Sequence, residues 1–370
     1  MESIRVPFLD LRKSNKSEKF LFIESFEEIL DHGQIVMGPE INLFEEKISQ
    51  YCGRKFAVGV GSGTDALFLA LKALDIGLGD EVITTSLSWI ATANAIALTG
   101  AKPVFADIKN DLNIDPKSVE KLINKATKAI LAVDFTGRIC DMDELISLAN
   151  SNSIHLIEDG SQAFGATYKR KKCGSFGTIS AISHNPMKVF AALGEAGSIL
   201  CDSEEIYDRL LSLRYNGTIN KQVCIEPSLN GRIDTLQASI LLKKLTSKSF
   251  EGVIEKRRSN ADFFDKNLVE CVQIPERTND REDIFYTYTI KSENRDDLKS
   301  FLALKGIETQ IQHPILMSQQ PAYKELSPLR LTNAEKLVHE ILCLPINETL
   351  TFDQLEYIVS SIKSFFELKS

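Results

Sequence analysis

Short apolar runs alternate with helix-patterned stretches through the first two thirds of this chain, and that alternation constrains its fold more than any other feature. Phe56-Ala57-Val58-Gly59-Val60 precedes a helical pattern over 64–75, and Glu81-Val82-Ile83-Thr84 precedes another over 89–99. Pro103 to Ala106, Ala129 to Val133 and Ile154 to Ile157 follow, each after a plausible helix. Strands and helices at this spacing predict βα units around a mainly parallel sheet, an α/β architecture. After about residue 245 the texture turns to Lys- and Glu-rich helical pattern with one strong strand, Phe285-Tyr286-Thr287-Tyr288-Thr289-Ile290. The 370 residues are enough for two domains. The expected division is a large domain over 1–245, with an N-terminal extension, and a smaller α+β domain over 246–370.

Charge and special residues narrow the function classes. The net charge of −8 and the isolation of the basic run Lys169-Arg170-Lys171-Lys172 argue against nucleic acid as a partner. Seven cysteines and five histidines are dispersed without a CxxC pair, so neither a disulfide framework nor a metal site is implied. No apolar span reaches 18 residues, and Met1-Glu2-Ser3-Ile4-Arg5 leads into charged residues without a signal core. A soluble, cytoplasmic protein with no membrane partner is the expectation.

Lys188 carries the chemistry. It lies 29 positions after Asp159 (188 − 159), the acid that closes the apolar run from Ile154. Most single lysines are solvated surface residues. An acid at a strand end followed at this distance by a lysine in a polar turn, Ser183-His184-Asn185-Pro186-Met187-Lys188, is what pyridoxal 5'-phosphate requires: one group for the ring nitrogen and one amine for the aldehyde. A phosphate site is expected at Gly61-Ser62-Gly63-Thr64-Asp65-Ala66-Leu67, where Gly63 frees the backbone and Leu67, Leu71 and Leu74 fall at helical spacing behind Thr64. A dinucleotide fold competes for that segment. It fits poorly, since the glycines do not form GxGxxG and Asp80 and Glu81 precede the next strand instead of ending it.

From Ile154 to Gly197 the chain closely resembles the sugar aminotransferases of the DegT/DnrJ/EryC1/StrS family, a branch of the fold-type I pyridoxal-phosphate enzymes. The likeness runs in order from Val6-Pro7-Phe8-Leu9-Asp10-Leu11 to Leu344-Pro345-Ile346-Asn347. It implies that Gly63, Thr64 and Asp65 hold the cofactor phosphate with Ser183, and that Trp89, the lone tryptophan, lies against the pyridine ring. Asp159 would pair with the ring nitrogen, Gln162 would sit near the phenolate oxygen, and Lys188 would bind the aldehyde and then, as a free amine, move protons. Asn230, within Leu229-Asn230-Gly231-Arg232-Ile233-Asp234, would reach across a homodimer interface to the partner's phosphate. His313 and Tyr323 match segments lining the active-site entrance. Family members with histidine at the lysine position are dehydratases, so Lys188 implies transamination: a nucleotide-linked keto sugar becomes an amino sugar, with glutamate as donor, for surface-glycan or amino-sugar biosynthesis. The alternative is a non-catalytic, cofactor-binding regulatory homologue. An enzyme acting on amino acids alone lacks a matched arginine beyond the ambiguous Arg214 and Arg232. Three departures leave the sugar open. Glu195-Ala196 stands where many members have Asp-Gly, Asp134 where they have histidine, and Phe164 where they have histidine, all near the expected sugar pocket.

Overall fold

The computed structural model describes residues 5–12, 16–247, 249–326 and 330–369. Two helices, α1 (Lys16–His32) and α2 (Pro39–Cys52), lead into β1 (Phe56–Val60), α3 (Gly63–Ala73), β2 (Glu81–Thr85), α4 (Ala91–Leu98) and β3 (Lys102–Ala106). Then come α5 (Pro116–Leu122), β4 (Thr127–Val133), α6 (Met142–Ser151) and β5 (His155–Asp159). A short hairpin of β6 (Thr167–Tyr168) and β7 (Lys171–Lys172) precedes β8 (Ile179–Ser183), β9 (Gly197–Cys201) and α7 (Glu204–Leu213). A two-stranded ribbon, β10 (Thr218–Ile219) and β11 (Val223–Cys224), projects before α8 (Thr235–Thr246). Both patterns expected to be helical are helices, slightly shorter than expected.

Seven strands form one sheet in the order β1-β9-β8-β5-β4-β2-β3. Only β9 runs against its neighbours; the pairs from β8 through β3 are all parallel. The strands are short and almost wholly apolar because helices cover both faces, the usual condition of a parallel sheet. On one face Ile41, Phe44 and Ile48 of α2 pack with Leu145 of α6 and Leu241 of α8. On the other, Leu67 and Leu71 of α3 pack with Ile96 of α4 and Leu210 and Leu213 of α7. Each fully buried Leu, Ile or Val contributes about 1.5–3 kcal/mol of transfer free energy, so the sheet's polar strand ends are held at fixed heights. Register places Val133 beside Asp159 and Asp159 beside Ala181.

The remaining chain comprises α9 (Ser249–Leu268), β12 (Arg281–Glu282), β13 (Tyr288–Lys291), α10 (Arg295–Leu304), α11 (Thr332–Glu340), β14 (Ile341–Leu344) and α12 (Phe352–Glu367). Antiparallel β13 and β14 carry a core of Phe264, Tyr288, Leu298, Leu342 and Ile358, to which Val6 from the N-terminal segment also belongs. Helix α9 belongs to two cores: Phe250 and Ile254 join the large sheet's cluster, Ala261, Phe264 and Leu268 the C-terminal one. The strand expected at Phe285–Ile290 begins only at Tyr288, because Phe285 adopts the left-handed conformation (φ 52°) and breaks the extended run. Gly137 (φ 100°) packs against that break. A Cβ there would lie 2.6 Å from the Tyr286 amide nitrogen. No helix among the described residues is long and apolar enough to cross a membrane.

Candidate active site

A cavity of about 950 Å³ opens at the C-terminal ends of the parallel strands, lined there by Val133, Asp159 and Ser183. Ligands in open α/β sheets bind at this edge, where βα loops converge. The cavity has a phosphate end, a ring section and an outer section, each built by different elements.

Helix α3 supplies the phosphate end. Ser62 caps it, its hydroxyl accepting from the Asp65 amide at 3.0 Å, while the first-turn amides at Gly63 and Thr64 lack intrahelical partners. Gly63 is pressed against β8: a Cβ on it would lie 2.5 Å from the Ser183 Cβ, so only glycine lets the cradle close. Ser183 is oriented in turn by its backbone N–H donating to Ser161 Oγ at 3.0 Å. Gly63, Thr64 and Ser183 all line the cavity; Asp65 does not. Its carboxylate turns back toward Gly61 and Ser62, and burial raises its pKa.

Asp159 and Lys188 hold the middle. Asp159 is buried at the end of β5, and one carboxylate oxygen accepts from the Ser161 amide at 3.1 Å. Burial pushes its pKa up, against the Ser161 hydrogen bonds and the charge of Lys188. Lys188 ends a tight turn. Its N–H donates to the Asn185 carbonyl at 2.8 Å, and Asn185 Oδ1 accepts from Met187 N at 2.9 Å, with Pro186 between them fixing the backbone. The Lys188 ammonium lies 4.8 Å from the centroid of the Tyr286 ring. Gln162 Oε1 accepts from the Thr136 amide at 3.0 Å and from Gln312 Nε2 at 3.4 Å. Trp89 lines the same space with 61% of its surface exposed, a large apolar ring left uncovered.

His313 closes the outer section, in the left-handed conformation (φ 58°) between Trp89 and Phe135 at centroid distances of 5.9 and 5.8 Å. Its Nε2 is buried without a hydrogen-bond partner among the described residues, and burial, with the Lys188 charge, lowers its pKa to about 4. Tyr323 lies elsewhere. It packs edge-on against Phe105 and its hydroxyl donates to Asn94 Oδ1 at 2.6 Å, so in this chain it is a wall residue outside the cavity lining. Asn230 is exposed, accepts from Arg232 Nε at 2.7 Å, and does not line its own chain's cavity.

Of the three departures expected near the sugar pocket, only Glu195 faces the cavity, held by Asn185 Nδ2 at 2.6 Å. Asp134 and Phe164 are buried elsewhere. Phe164 stacks on Phe190 at 4.8 Å. Asp134 sits beneath the strand ends beside Glu158, whose carboxylate accepts from Gly174 N, Phe176 N and Ser180 Oγ at 2.9, 3.0 and 2.6 Å. Burial first, then the Glu158 charge, hold the Asp134 carboxyl well above the ordinary range. Its peptide N–H donates to the Asp159 carbonyl at 3.0 Å, tying the buried pair to the strand that presents Asp159. His184, in the turn before Lys188, points into the core. Its Nε2 lies 2.9 Å from Ser198 Oγ, and burial lowers its pKa to about 3.

Sequence reasoning did not single out Tyr286, Ser161 or Gln312. Tyr286 reads as one residue of an alternating strand, and nothing local announces that Phe285 reverses the backbone and turns Tyr286 toward Lys188.

A mainly parallel seven-stranded sheet with one reversed strand, a lysine and an acid facing one cavity, and a helix N-terminus at its end define a fold-type I pyridoxal-phosphate enzyme. The residues present fit that cofactor: a cradle only glycine allows, first-turn amides for an anion, a buried acid facing the cavity, and a primary amine. The sequence profile of the DegT/DnrJ/EryC1/StrS aminotransferase family matches residues 16–363. Among relatives, the pleiotropic regulatory protein of Geobacillus stearothermophilus is 34% identical, with 98% of this chain and 99% of that protein covered. The dTDP-3-amino-3,6-dideoxy-alpha-D-galactopyranose transaminase of Aneurinibacillus thermoaerophilus is also 34% identical, with 97% and 99% covered. The crystal structure of S. venezuelae DesV superposes with a TM-score of 0.94 at 33% identity, covering 98% of this chain and 99% of that one. The chain belongs to the DegT/DnrJ/EryC1/StrS aminotransferase family, whose members depend on pyridoxal phosphate.

Proposed function

We propose that this enzyme transfers an amino group to the keto carbon of a nucleotide-linked sugar, with glutamate as donor, for amino sugars of surface glycans. The observation that carries the reading is the convergence of Lys188, Asp159 and the α3 N-terminus on one cavity. Retention of this whole set, with Gln162 beside it, favours catalysis over a regulatory, non-catalytic role. Seven unpaired cysteines suit a reducing cytoplasm.

Bound at this site, pyridoxal phosphate supplies an electron sink for the carbon being deprotonated. The amides of Gly63 and Thr64, the α3 dipole and the Ser183 hydroxyl bind its phosphate. Asp159 holds the ring-nitrogen proton, and Trp89 fixes the ring's plane. Gln162, oriented by the Thr136 amide, presents its carboxamide to the ring's oxygen. Lys188 Nζ takes the α-proton of the amino donor and, in the second half-reaction, delivers a proton to the sugar carbon that receives nitrogen. The face of Tyr286 holds that ammonium between transfers.

The working unit in this proposal is a homodimer with shared sites. Phe20, Ile23, Phe26 and Leu30 recur on α1 at helical spacing and are exposed, as are Ile35 and Val36 after it, a surface suited to a second copy. Asn230, turned away from its own cavity, would complete the partner's phosphate site.

Borohydride reduction followed by digestion tests the cofactor link: the added mass belongs on the peptide containing Lys188. Mass on another lysine would overturn the assignment.

A further inference from the structure

The side-chain oxygen of Gln162 accepts from two donors, and they come from different cores of the chain. Gln162 lies just past the end of β5, and the Thr136 amide that donates to its Oε1 at 3.0 Å follows β4 of the same sheet. The second donor, Gln312 Nε2 at 3.4 Å, belongs to a segment that joins β14 through the bridge between Gln310 and Cys343. One donor fixes the oxygen but lets the carboxamide turn about that bond; a second, from another direction, fixes its plane. At 3.4 Å the Gln312 contact is long for N–H···O, so its effect lies in orientation more than in strength. With the oxygen held, the NH2 branch is what Gln162 can offer to the cavity it lines.

Gln312 is itself pinned. The Cys343 thiol, its pKa raised by burial, donates to Gln312 Oε1 at 3.9 Å, and its Sγ lies 3.3 Å from Thr289 Oγ1 on β13. The backbone of Gln310 exchanges both its hydrogen bonds with Cys343, at 3.1 and 2.8 Å. Gln312 therefore sits two residues beyond a strand-like bridge, immediately before the left-handed turn at His313 (φ 58°).

We infer that Gln312 is a positioning residue for the cofactor: it orients the Gln162 carboxamide so that its N–H, not its oxygen, meets the phenolate oxygen of the ring, and through it the C-terminal core tunes the charge on that oxygen. This rests on the proposed placement of pyridoxal phosphate in the cavity and adds a residue that acts there through another. An N–H donated to the phenolate draws off part of its negative charge. The nitrogen that joins Lys188 to the cofactor is held protonated by that same charge, so a poorer donor at the oxygen leaves the nitrogen more basic.

The test titrates the intact chain, loaded with pyridoxal phosphate and without substrate, while the visible absorbance band of the Lys188 link is followed against pH. Gln162→Leu, which removes the donor, should raise the midpoint by about one pH unit, and Gln312→Met, which keeps the side chain's length and loses its amide, by about half a unit. The double variant decides the route: if Gln312 works through Gln162, the substitution at 312 adds nothing once the Gln162 amide is gone. An equal shift in both backgrounds would put Gln312 on the ring itself, and an unmoved midpoint in Gln312→Met would leave Thr136 as the orienting group; either result overturns the inference. Gln312→Leu gives the same comparison should the methionine variant not hold cofactor. An unmoved midpoint in Gln162→Leu would overturn the inference together with the placement of Gln162 at the ring oxygen, while the aminotransferase reading stands or falls separately on the peptide that carries the reduced cofactor.

Discussion

Asp159 and His184 are both buried titratable residues near the cofactor end, and they behave oppositely. Asp159 faces the cavity with one carboxylate oxygen accepting from the Ser161 amide, so a ring-nitrogen proton in the cavity is its natural partner. Asp159→Asn should still bind cofactor yet lose turnover by on the order of 100-fold, because a neutral amide cannot hold that proton. Near-normal single-turnover rates would remove Asp159 from the mechanism. His184 is fully enclosed and its pKa falls from 6.5 to about 3. The folded chain therefore prefers the neutral ring; its contribution to stability is complete above pH 6.5 and declines as pH falls toward 3. By pH 5 the loss from this residue is about 2 kcal/mol. In His184→Gln the fall in unfolding free energy between pH 7 and pH 5 should be smaller by that amount, measured by urea titration at both values; an unchanged fall would place the acid sensitivity elsewhere. Lys188, Asp159 and Gln162 were legible because their chemistry is tied to short spacings in the chain. Tyr286 and Gln312 were not, because they reach Lys188 and Gln162 through tertiary contacts 98 (286 − 188) and 150 (312 − 162) residues away in the chain.

Helix α3 and strand β8 meet at one atom's width, and the phosphate end depends on it. Gly63→Ala places a methyl 2.5 Å from the Ser183 Cβ and 3.1 Å from its Cα, neither of which belongs to a flexible tip. The expected outcome is a dissociation constant for pyridoxal phosphate raised about tenfold or more, from the 1–3 kcal/mol such overpacking costs. An absorbance titration that matches wild type would show the cradle to be looser than its geometry. The parallel strands were readable as elements because burial on both faces leaves uninterrupted apolar runs. The reversed direction of β9 was not: Gly197-Ser198-Ile199-Leu200-Cys201 has the composition of its neighbours, and direction is set by what lies across the sheet. β14 escaped notice for a related reason, since Ile341–Leu344 follows α11 without a turn residue to separate them. The shortened β13 reflects Phe285, whose left-handed conformation lies where Gly137 comes close to the backbone.

At the scale of the molecule, the test is whether sites are shared between copies. Lys188→Ala and Asn230→Ala dimers should each be impaired. In a mixed dimer, reciprocal sharing puts both defects in one site and leaves the other whole, so activity should recover to about half of wild type. If Asn230 serves its own chain, every site keeps one defect and no recovery follows. Asn230 lies at the base of the β10–β11 ribbon, where it bridges to Tyr215. That ribbon also carries Cys224, and its exposure sets it apart. Cys52, Cys140, Cys173, Cys201 and Cys343 are buried, and Cys271 is partly covered. Burial drives the buried thiols upward, Cys201 to about 11, and suppresses the thiolate that alkylating reagents attack. The native chain thus comes with one accessible handle for maleimide chemistry, on the ribbon beside Asn230, where a fluorophore would register assembly without any engineered cysteine.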